Sequence, residues 1–226
     1  MFVGIPPRQT RHLRWATPLL FAALWLAYVL TALRTPNATL DWGVLTGGLH
    51  TVAAWQQAFT DGSVLRLFSA LFLHADWIHL LGNLVFLLIF GLPAERTMGG
   101  RRFLVLFLLG GALSNFAAVL AIGAPDRVII GASGAVSSVI GAYLALFPSA
   151  RLGVVLPLGL FLQFVRVPAF LLIGLWALLQ LFFAYSGPAF GAVAWPAHIA
   201  GFVFGVLFAL ITRAAIARRL RRSRGY

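Results

Sequence analysis

Six apolar stretches constrain this chain more than any other feature of its 226 residues. Each approaches or reaches the length of about 20 residues that an α-helix needs to cross a bilayer. They cover roughly residues 17–33, 76–93, 103–122, 133–147, 168–185 and 196–212. Little of the chain is left over, so the sequence predicts an all-α membrane protein, a bundle of six transmembrane helices in one domain.

The connection between the fourth and fifth stretches is also apolar, but residues 154–165 make no clear span. Arginines and prolines bound it, at Arg151, Pro157, Arg166 and Pro168. We predict an interfacial connection here, and a re-entrant seventh segment is the alternative.

The basic residues orient the bundle. All 17 are arginines, against five acidic residues, and they lie mainly between and beyond the apolar stretches. With a cytoplasmic amino terminus, fourteen arginines fall inside, while Arg34, Arg66 and Arg127 fall outside. Because cytoplasmic loops are enriched in positive charge, both termini are predicted to be cytoplasmic.

This topology divides the chain into three parts. Residues 1–16 form a cytoplasmic segment, residues 17–212 the membrane domain, and residues 213–226 an arginine-rich cytoplasmic tail. Within the membrane domain, residues 34–75 form a long external loop whose tryptophans and apolar run suit the outer interface. A cleaved signal peptide is the alternative for the first stretch. An anchor is favoured, because the apolar core is long and no Ala-x-Ala site follows it.

A net charge of +12 would suggest a nucleic-acid partner if the protein were soluble. No aromatic residues interleave with the arginines of the tail, so nucleic acid is not predicted as a partner. The tail is instead expected to hold the last helix in place and to contact anionic membrane lipids. The sequence predicts no particular oligomeric state.

A few polar side chains stand out in a sequence that is 61% hydrophobic. His79 and Asn83, Ser133, and His198 lie near the starts of the second, fourth and sixth stretches respectively. Alternate spans enter the bilayer from the same side, so these groups should meet at one depth. Burying polar groups in lipid is costly, and their convergence therefore predicts a catalytic site.

Ser133 lies in the sequence Gly131-Ala132-Ser133-Gly134, just before a helical stretch. This is not the nucleophile elbow of soluble hydrolases, because the second residue after the serine is Ala135 rather than glycine. Taken alone, a serine at a helix start is usually a cap. The same position also offers free backbone N–H groups and the positive end of the helix dipole, which can stabilise an oxyanion.

The serine needs a base, and His198 is the candidate. Its spacing places it on one helical face with Gly201 and Gly205, so this helix can approach a neighbour closely. A similar face of small residues in the fourth stretch is formed by Gly134, Ser138 and Gly141. Close approach matters because a hydroxyl–imidazole hydrogen bond needs roughly 2.6–3.2 Å. Glycine-mediated packing with an incidental histidine is the alternative interpretation.

His79 and Asn83 are four residues apart and therefore share one helical face. Both can donate hydrogen bonds, as an oxyanion site requires, while a polar clasp between helices is the alternative. His74 is poorly spaced for that face and is expected to pack or bond in the outer loop.

Other catalytic chemistries lack their residues in this sequence. None of the five acids lies in mid-span, where a pair of catalytic carboxylates would be needed. The chain has no cysteine and no His-Glu-x-x-His motif, so neither thiol chemistry nor a metal or other cofactor is predicted. Ser133 and His198 remain as the nucleophile–base pair. Since no acid is placed to orient the histidine, we expect a dyad rather than a triad.

In this order the residues resemble the rhomboid family of intramembrane serine proteases. The resemblance covers about residues 65–205. Its motifs are Arg66, then His74-x-x-x-x-His79-x-x-x-Asn83, then Glu95 and Gly99, then Gly131-x-Ser133-Gly134, and finally Ala197-His198-x-x-Gly201-x-x-x-Gly205. Each motif is weak alone, but the ordered set on alternating spans is specific.

The resemblance implies a rhomboid-like bundle with Ser133 as the nucleophile and His198 as the general base and acid. It assigns the oxyanion site to His79, Asn83 and the backbone amide of Ser133. It further implies that the first loop lies partly in the membrane, and that the fifth helix and a capping loop gate substrate access.

Two positions depart from the family pattern. The Trp-Arg pair typical of the first loop is Leu65-Arg66 here. Some members also carry an aromatic residue, stacked on the histidine, where this chain has Ser137. Neither change removes a catalytic group, but support for His198 must come from elsewhere or be missing.

These observations predict hydrolysis of a peptide bond in or beside a transmembrane segment of another protein, in a bacterial plasma membrane. By family analogy, such substrates carry helix-destabilising residues and a small residue before the scissile bond. A non-catalytic scaffold that binds transmembrane clients is the alternative. A small-solute transporter would predict inverted repeats or helices broken in mid-membrane, and neither is evident in the sequence.

Overall fold

The computed structural model describes residues 14–34, 37–46, 49, 51–122, 127–158, 161–186 and 194–224. Among these residues, four helices have the length and apolarity to cross a membrane, namely Ala16–Leu33, Trp77–Met98, Gly100–Ala121 and Trp195–Arg221. Shorter apolar helices cover Ser63–Phe72, Ser133–Leu146 and Ala169–Phe182. The expectation of a mostly helical membrane protein is confirmed. The predicted fourth and fifth spans are shorter helices than the other four.

In chain order the helices are α1 (Ala16–Arg34), α2 (Ala38–Trp42), α3 (Val52–Thr60), α4 (Arg66–Ser69), α5 (Trp77–Phe86), α6 (Leu92–Met98), α7 (Gly100–Ala121), α8 (Ser133–Leu146), α9 (Ala169–Ser186) and α10 (Trp195–Arg224). The strands are β1 (Val44–Leu45), β2 (Val128–Ile129), β3 (Arg151–Leu158) and β4 (Phe161–Pro168). A π-helical turn, Leu87–Gly91, joins α5 to α6 just before Pro93. A proline inside a helix clashes with the preceding turn, which a wider turn accommodates.

β3 and β4 form an antiparallel hairpin that runs from the pair of Arg151 with Pro168 to the pair of Leu158 with Phe161. The prediction of an all-α chain is wrong here, because the interfacial connection predicted at residues 154–165 is part of two strands. The segment is rich in valine, whose branched side chain favours strands. Its prolines are compatible with this structure because each strand of a two-stranded sheet is an edge.

The loop after α1 is tied to the segment that leads into α8. β1 pairs antiparallel with β2, with Val44 opposite Ile129. Beside this pair, the N–H of Thr46 donates to the carbonyl of Arg127 at 2.9 Å. The loop that we predict to be external therefore contacts the approach to Ser133.

Side chains of α4 hold the same loop from its other end. Arg66 donates through Nη1 to the carbonyl of Leu40 at 3.4 Å, and Ser69 donates through Oγ to the carbonyl of Trp42 at 2.7 Å. Leu65, at the position where the family pattern has a tryptophan, is 65% exposed. The loop is therefore anchored by hydrogen bonds from α4 rather than by a buried ring at this position.

A buried carboxylate joins the start of α1 to the end of α6. Glu95, which is 2% exposed, accepts hydrogen bonds at 2.8 Å from the backbone N–H groups of Trp15, Ala16 and Thr17. The first N–H groups of a helix have no acceptor within the helix, and the positive end of its dipole favours a carboxylate there. Glu95 therefore caps α1 from a distant part of the chain.

The last helix ends beside the same turn. Arg219 donates through Nη1 to the carbonyls of Arg96, at 3.2 Å, and Thr97, at 3.4 Å. The start of α1, the α6–α7 turn and the end of α10 therefore share one end of the bundle. α5 leads into α6 and so runs toward that end, as α10 does; α8 runs parallel to α10, because Gly201 and Gly205 contact the carbonyls of Gly134 and Ser138 in the same order. All three helices therefore begin at the opposite end. The polar residues near their starts consequently lie at a common level.

The outward faces of the helices are apolar. Leu26 and Leu33 of α1 and Leu178 of α9 are each more than half exposed. The interior is filled by large side chains such as Phe103 and Phe107, which are fully buried. Apolar surface spread over the outside of several helices suits lipid rather than water.

Replacing Glu95 should loosen the α1 end of the bundle. In Glu95→Gln, an acceptor oxygen becomes an NH2 group that faces backbone donors, and a buried donor without a partner costs about 1–3 kcal/mol. We expect a lower midpoint for thermal unfolding of the detergent-solubilised protein. Asp41→Asn, at an exposed acid, is the matched control and should leave the midpoint unchanged. Equal midpoints for both variants and the wild type would contradict the capping role of Glu95.

Candidate active site

The turn before α8 places Ser133 at the first position of that helix. Gly131 has φ +111°, a conformation that strains any residue with a side chain. Its N–H donates to the carbonyl of Ala70 at 2.8 Å, and the N–H of Ala132 donates to Nε2 of His74 at 3.4 Å. The residues on either side of Ser133 are buried, whereas Ser133 itself is partly exposed. The turn is therefore held by the segment before α5, while Ser133 stays partly exposed.

His198, in the first turn of α10, contacts Ser133 directly. Its Nε2 lies 2.8 Å from Oγ of Ser133, and its Nδ1 lies 2.7 Å from Oε1 of Gln180 in α9. An amide oxygen can accept but not donate, so the contact with Oε1 favours the form in which Nδ1 carries the proton and Nε2 accepts from the serine hydroxyl. A histidine in this protonation state can act as a general base toward a serine.

Glycines bring α8 and α10 together at backbone distance. A Cβ atom added at Gly201 would meet the carbonyl oxygen of Gly134, and one added at Gly205 would meet the carbonyl oxygen of Ser138. Both contacts are closer than side chains with a Cβ permit, so neither α10 glycine can be replaced without moving the helices apart. The two helices run parallel, because Gly201 and Gly205 of α10 face residues of α8 that are also four positions apart and in the same order.

The small-residue face of α8 also borders a third helix. A Cβ added at Gly134 would lie 2.5 Å from Cβ of Ser114 in α7, and one added at Gly141 would meet the carbonyl of Phe202 in α10. The four glycines that the sequence predicts to pack are therefore all in tight contacts; they are Gly134, Gly141, Gly201 and Gly205.

The ring of His79 lies against the turn that precedes the serine. A Cβ added at Gly131 would be 2.7 Å from Cε1 and 2.9 Å from Nε2 of His79. Asn83 lies one turn further along α5, is 7% exposed, and donates through Nδ2 to the carbonyl of His79 at 2.9 Å. The structure thus brings His79 to the serine turn, whereas the hydrogen bond of Asn83 stays within α5.

His74 lies at the same turn, although its spacing does not suit the face of His79. The two rings pack in a T-shaped arrangement with centroids 5.0 Å apart, and Nε2 of His74 accepts a hydrogen bond from the N–H of Ala132. The pKa of His74 is lowered to about 4, mainly by burial and to a lesser extent by the charge of the His79 ring, while the Phe72 backbone and the charge of Asp76 oppose this change. His74 is therefore neutral at pH 7, as its role as an acceptor requires.

Two further residues of the site, Gln180 and Trp195, are not identified by the sequence patterns. The ring of Trp195 meets that of His198 edge to face, with centroids 5.7 Å apart. Gln180 and Trp195 contact the histidine, as the family's aromatic residue at the position of Ser137 would do. The hydroxyl of Ser137 instead donates to the carbonyl of Ser133 at 2.7 Å. The signal for Gln180 is an amide within an apolar span, a costly placement unless the amide has a partner.

The groups that meet here are a hydroxyl, imidazoles, amides and the N–H groups at the start of α8. Within the described part of the chain, no three His, Asp or Glu side chains are grouped as a metal ion would require. A serine bonded to an imidazole, beside several hydrogen-bond donors, has the components needed for acyl transfer.

A family model described as Rhomboid domain matches residues 61–215, more than half of the chain. The chain belongs to the rhomboid family. The matched range contains all the residues that form the site of this rhomboid protein, from His74 to His198. Rhomboid proteins are generally intramembrane serine proteases, and some members are inactive.

Named relatives of this rhomboid protein come from several organisms. It is 31% identical to "Putative rhomboid protease YdcA" of Bacillus subtilis (strain 168) over 123 residues, which are 54% of this chain and 56% of the relative. It is 37% identical to "Rhomboid-like protease 3" of Toxoplasma gondii over 93 residues, 41% of this chain and 35% of the relative. It is 32% identical to "RHOMBOID-like protein 5" of Arabidopsis thaliana over 85 residues, 38% of this chain and 28% of the relative. The chain thus spans little more than half, or less, of the length of these relatives.

Replacing Gly131 should disturb the serine turn in two ways. Gly131→Ala combines a strained backbone, which costs on the order of 1–3 kcal/mol, with a clash against the ring of His79. We expect a lower unfolding midpoint than for two matched controls. The first control is Gly62→Ala: Gly62 also has positive φ, +77°, but a Cβ added there would meet open space. The second is Gly82→Ala in α5, where an added Cβ also meets open space and φ is not positive. If Gly131→Ala is no less stable than Gly62→Ala, the contact between His79 and the turn is not as described.

Proposed function

We propose that this rhomboid protein is an intramembrane serine endopeptidase that cleaves transmembrane segments of other proteins through Ser133 and His198. The observation that carries the proposal is the 2.8 Å contact between Oγ of Ser133 and Nε2 of His198, made by residues from two helices. A serine that only caps a helix needs no imidazole at its hydroxyl, and two helices that only pack through glycines need no histidine between them. A nucleophile and its base need both at this distance.

The reaction begins when Nε2 of His198 takes the proton of the Ser133 hydroxyl as Oγ attacks the carbonyl carbon of the scissile bond. The negative charge passes to the carbonyl oxygen of the tetrahedral intermediate. The imidazolium then gives its proton to the leaving amine, and the C–N bond breaks to leave an ester on Ser133. Water, deprotonated by His198, attacks that ester, and the acid product leaves as Ser133 recovers its proton.

The start of α8 and the start of α5 supply the donors for the oxyanion. The backbone N–H of Ser133 is at the first helical position, where no carbonyl of the same helix accepts it. His79 lies against Gly131 and can donate from its ring. The amide nitrogen of Asn83 has two N–H groups, and the carbonyl of His79 takes one of them, so the second remains for the substrate.

The short length of α8 suggests how water reaches the reaction. Its 14 residues make a helix about 21 Å long, against roughly 30 Å for the hydrocarbon core. With the end of α8 at the cytoplasmic boundary, Ser133 lies roughly 10 Å below the outer boundary. The partial exposure of Ser133 supports a cavity that opens outward from this depth.

The proposal includes six spans with both termini in the cytoplasm. The spans are α1, α5 with α6, α7, α8, α9 and α10. Residues 1–16 and the arginine-rich residues 213–226 then lie in the cytoplasm, residues 17–212 form the membrane domain, and residues 34–75 face outward. The hydrogen bonds of Arg219 beside the α6–α7 turn support contact of the tail with that side of the bundle and its lipids. A bacterial plasma membrane is the location that the sequence predicts.

Loss of either member of the pair should abolish activity. We expect Ser133→Ala and His198→Ala to lose cleavage of a reconstituted model transmembrane substrate, and Ser133→Ala to lose labelling by a fluorophosphonate probe. Ser137→Ala removes a hydroxyl from the next turn of the same helix and should keep both activities. Cleavage by Ser133→Ala at the wild-type rate would refute the assignment. Absence of cleavage and labelling in the wild type would instead favour a non-catalytic scaffold.

Asn83→Ala should have a milder effect than loss of the nucleophile. Removal of one oxyanion donor typically costs about 10²–10³ in kcat, with little change in KM. Asn115→Ala is the matched control, because that buried amide donates to the carbonyl of Leu67 away from the serine. It should lower stability rather than kcat. A fall in kcat that is equal for both variants would exclude Asn83 as an oxyanion donor.

A further inference from the structure

We infer that Gln180 of α9 is a positioning residue that fixes the protonation state and the orientation of His198. The inference rests on the proposed function, since it concerns the base of that reaction. It replaces the expected Ser–His dyad with a chain of three residues on three helices, in which an amide takes the place of the carboxylate of a triad.

The contact is specific because each atom in it has a defined role. Oε1 of Gln180 lies 2.7 Å from Nδ1 of His198, and Nε2 of the same ring lies 2.8 Å from Oγ of Ser133. A neutral imidazole carries one proton, which can sit on either nitrogen. With the proton on Nε2, the ring would donate to the serine oxygen and could not take its proton. An acceptor at Nδ1 favours the reactive form.

The surroundings of Gln180 show that its amide is directed inward. Gln180 is 7% exposed, although it belongs to a helix whose neighbouring residues Leu178 and Leu181 are 65% and 51% exposed. With spacings of three and four, Ile173, Trp176 and Gln180 share one helical face. Ile173 is buried, and the ring centroid of Trp176 lies 6.0 Å from the ring centroid of Phe202 in α10. This face packs on α10, and Gln180 is its polar member.

A neutral amide suits this place better than a carboxylate. A buried ionised acid within the bilayer is expensive unless it is paired, and the imidazole is neutral before the reaction starts. The amide oxygen still orients the ring and accepts from Nδ1 when the imidazolium forms. Gln180 therefore provides orientation without adding a charge to the resting site.

Ring protonation and turnover test this role together. In protein labelled with ¹⁵N-histidine, the ¹⁵N shifts of His198, assigned by comparison with His198→Ala, should show the proton on Nδ1. Gln180→Met, which keeps the length of the side chain but has no amide, should move proton population to Nε2. We expect it to lower kcat and the rate of fluorophosphonate labelling by at least about tenfold. That is well short of the ~10⁴ lost when a triad carboxylate becomes an amide. KM should change little.

Two further variants separate positioning from packing. Gln180→Glu keeps a side-chain oxygen that can accept from Nδ1, so it should be labelled faster than Gln180→Met, but slower than the wild type because of the cost of a buried carboxyl group. Leu178→Ala, on the exposed side of α9, should behave as wild type. Wild-type kcat in Gln180→Met would overturn the inference, as would a rise in KM at unchanged kcat. A wild-type spectrum with the proton on Nε2 would overturn it without any variant. If the wild type is not labelled by the probe, the proposed function fails, and the ¹⁵N shifts alone decide whether Gln180 sets the proton position.

Discussion

The site depends on the close backbone contact between α8 and α10. Serine has a short side chain, so its hydroxyl reaches an imidazole on another helix only if the two helices nearly touch. Helices with ordinary side chains at their contact pack with axes about 8–10 Å apart. Here Gly201 lies on the carbonyl of Gly134, and Gly205 lies on the carbonyl of Ser138. The glycines therefore determine the distance between Ser133 and His198 as directly as those two residues do.

The same physical rule explains both the stability of the bundle and its chemistry. Where water is absent, a polar group without a partner is costly, and two hydrogen-bonded arrangements, one near each end of the bundle, meet this requirement. Glu95 accepts from the start of α1 at one end. At the other end His198 lies between Ser133 and Gln180. The first arrangement closes a helix end, whereas the second leaves a hydroxyl whose proton can move.

Much of this arrangement follows from local patterns in the sequence. Apolar length identifies the long helices, and spacing places His198 on one face with its glycines. The position of Ser133, His79 and His198 near the starts of alternate spans predicts that they meet at one level. These inferences need only the pattern within each segment and the alternation of direction expected of successive spans.

The parts that the sequence does not predict depend on contacts between distant segments. Gln180 is a lone amide in its helix, and its partner could not be known before α9 was packed against α10. His74 has the wrong spacing to share a face with His79, yet the chain before α5 turns and brings the rings together. The β3–β4 hairpin is apolar and short, a pattern that a strand, an interfacial segment and a helix piece all share.

The packing of α9 has a consequence for the order of events in the proposed reaction. Apolar contacts between α9 and α10 tolerate sliding, whereas the hydrogen bond from Nδ1 to Gln180 weakens steeply once its distance and angle are lost. If Gln180 acts as proposed and a substrate segment enters between α9 and α10, separating these helices would break this hydrogen bond and leave His198 without its positioning residue. Cleavage would then occur only after α9 and α10 have packed together again around the segment. Bulky segments that keep α9 and α10 apart would be bound but not cleaved. The return of α9 to α10 would then select which segments are hydrolysed.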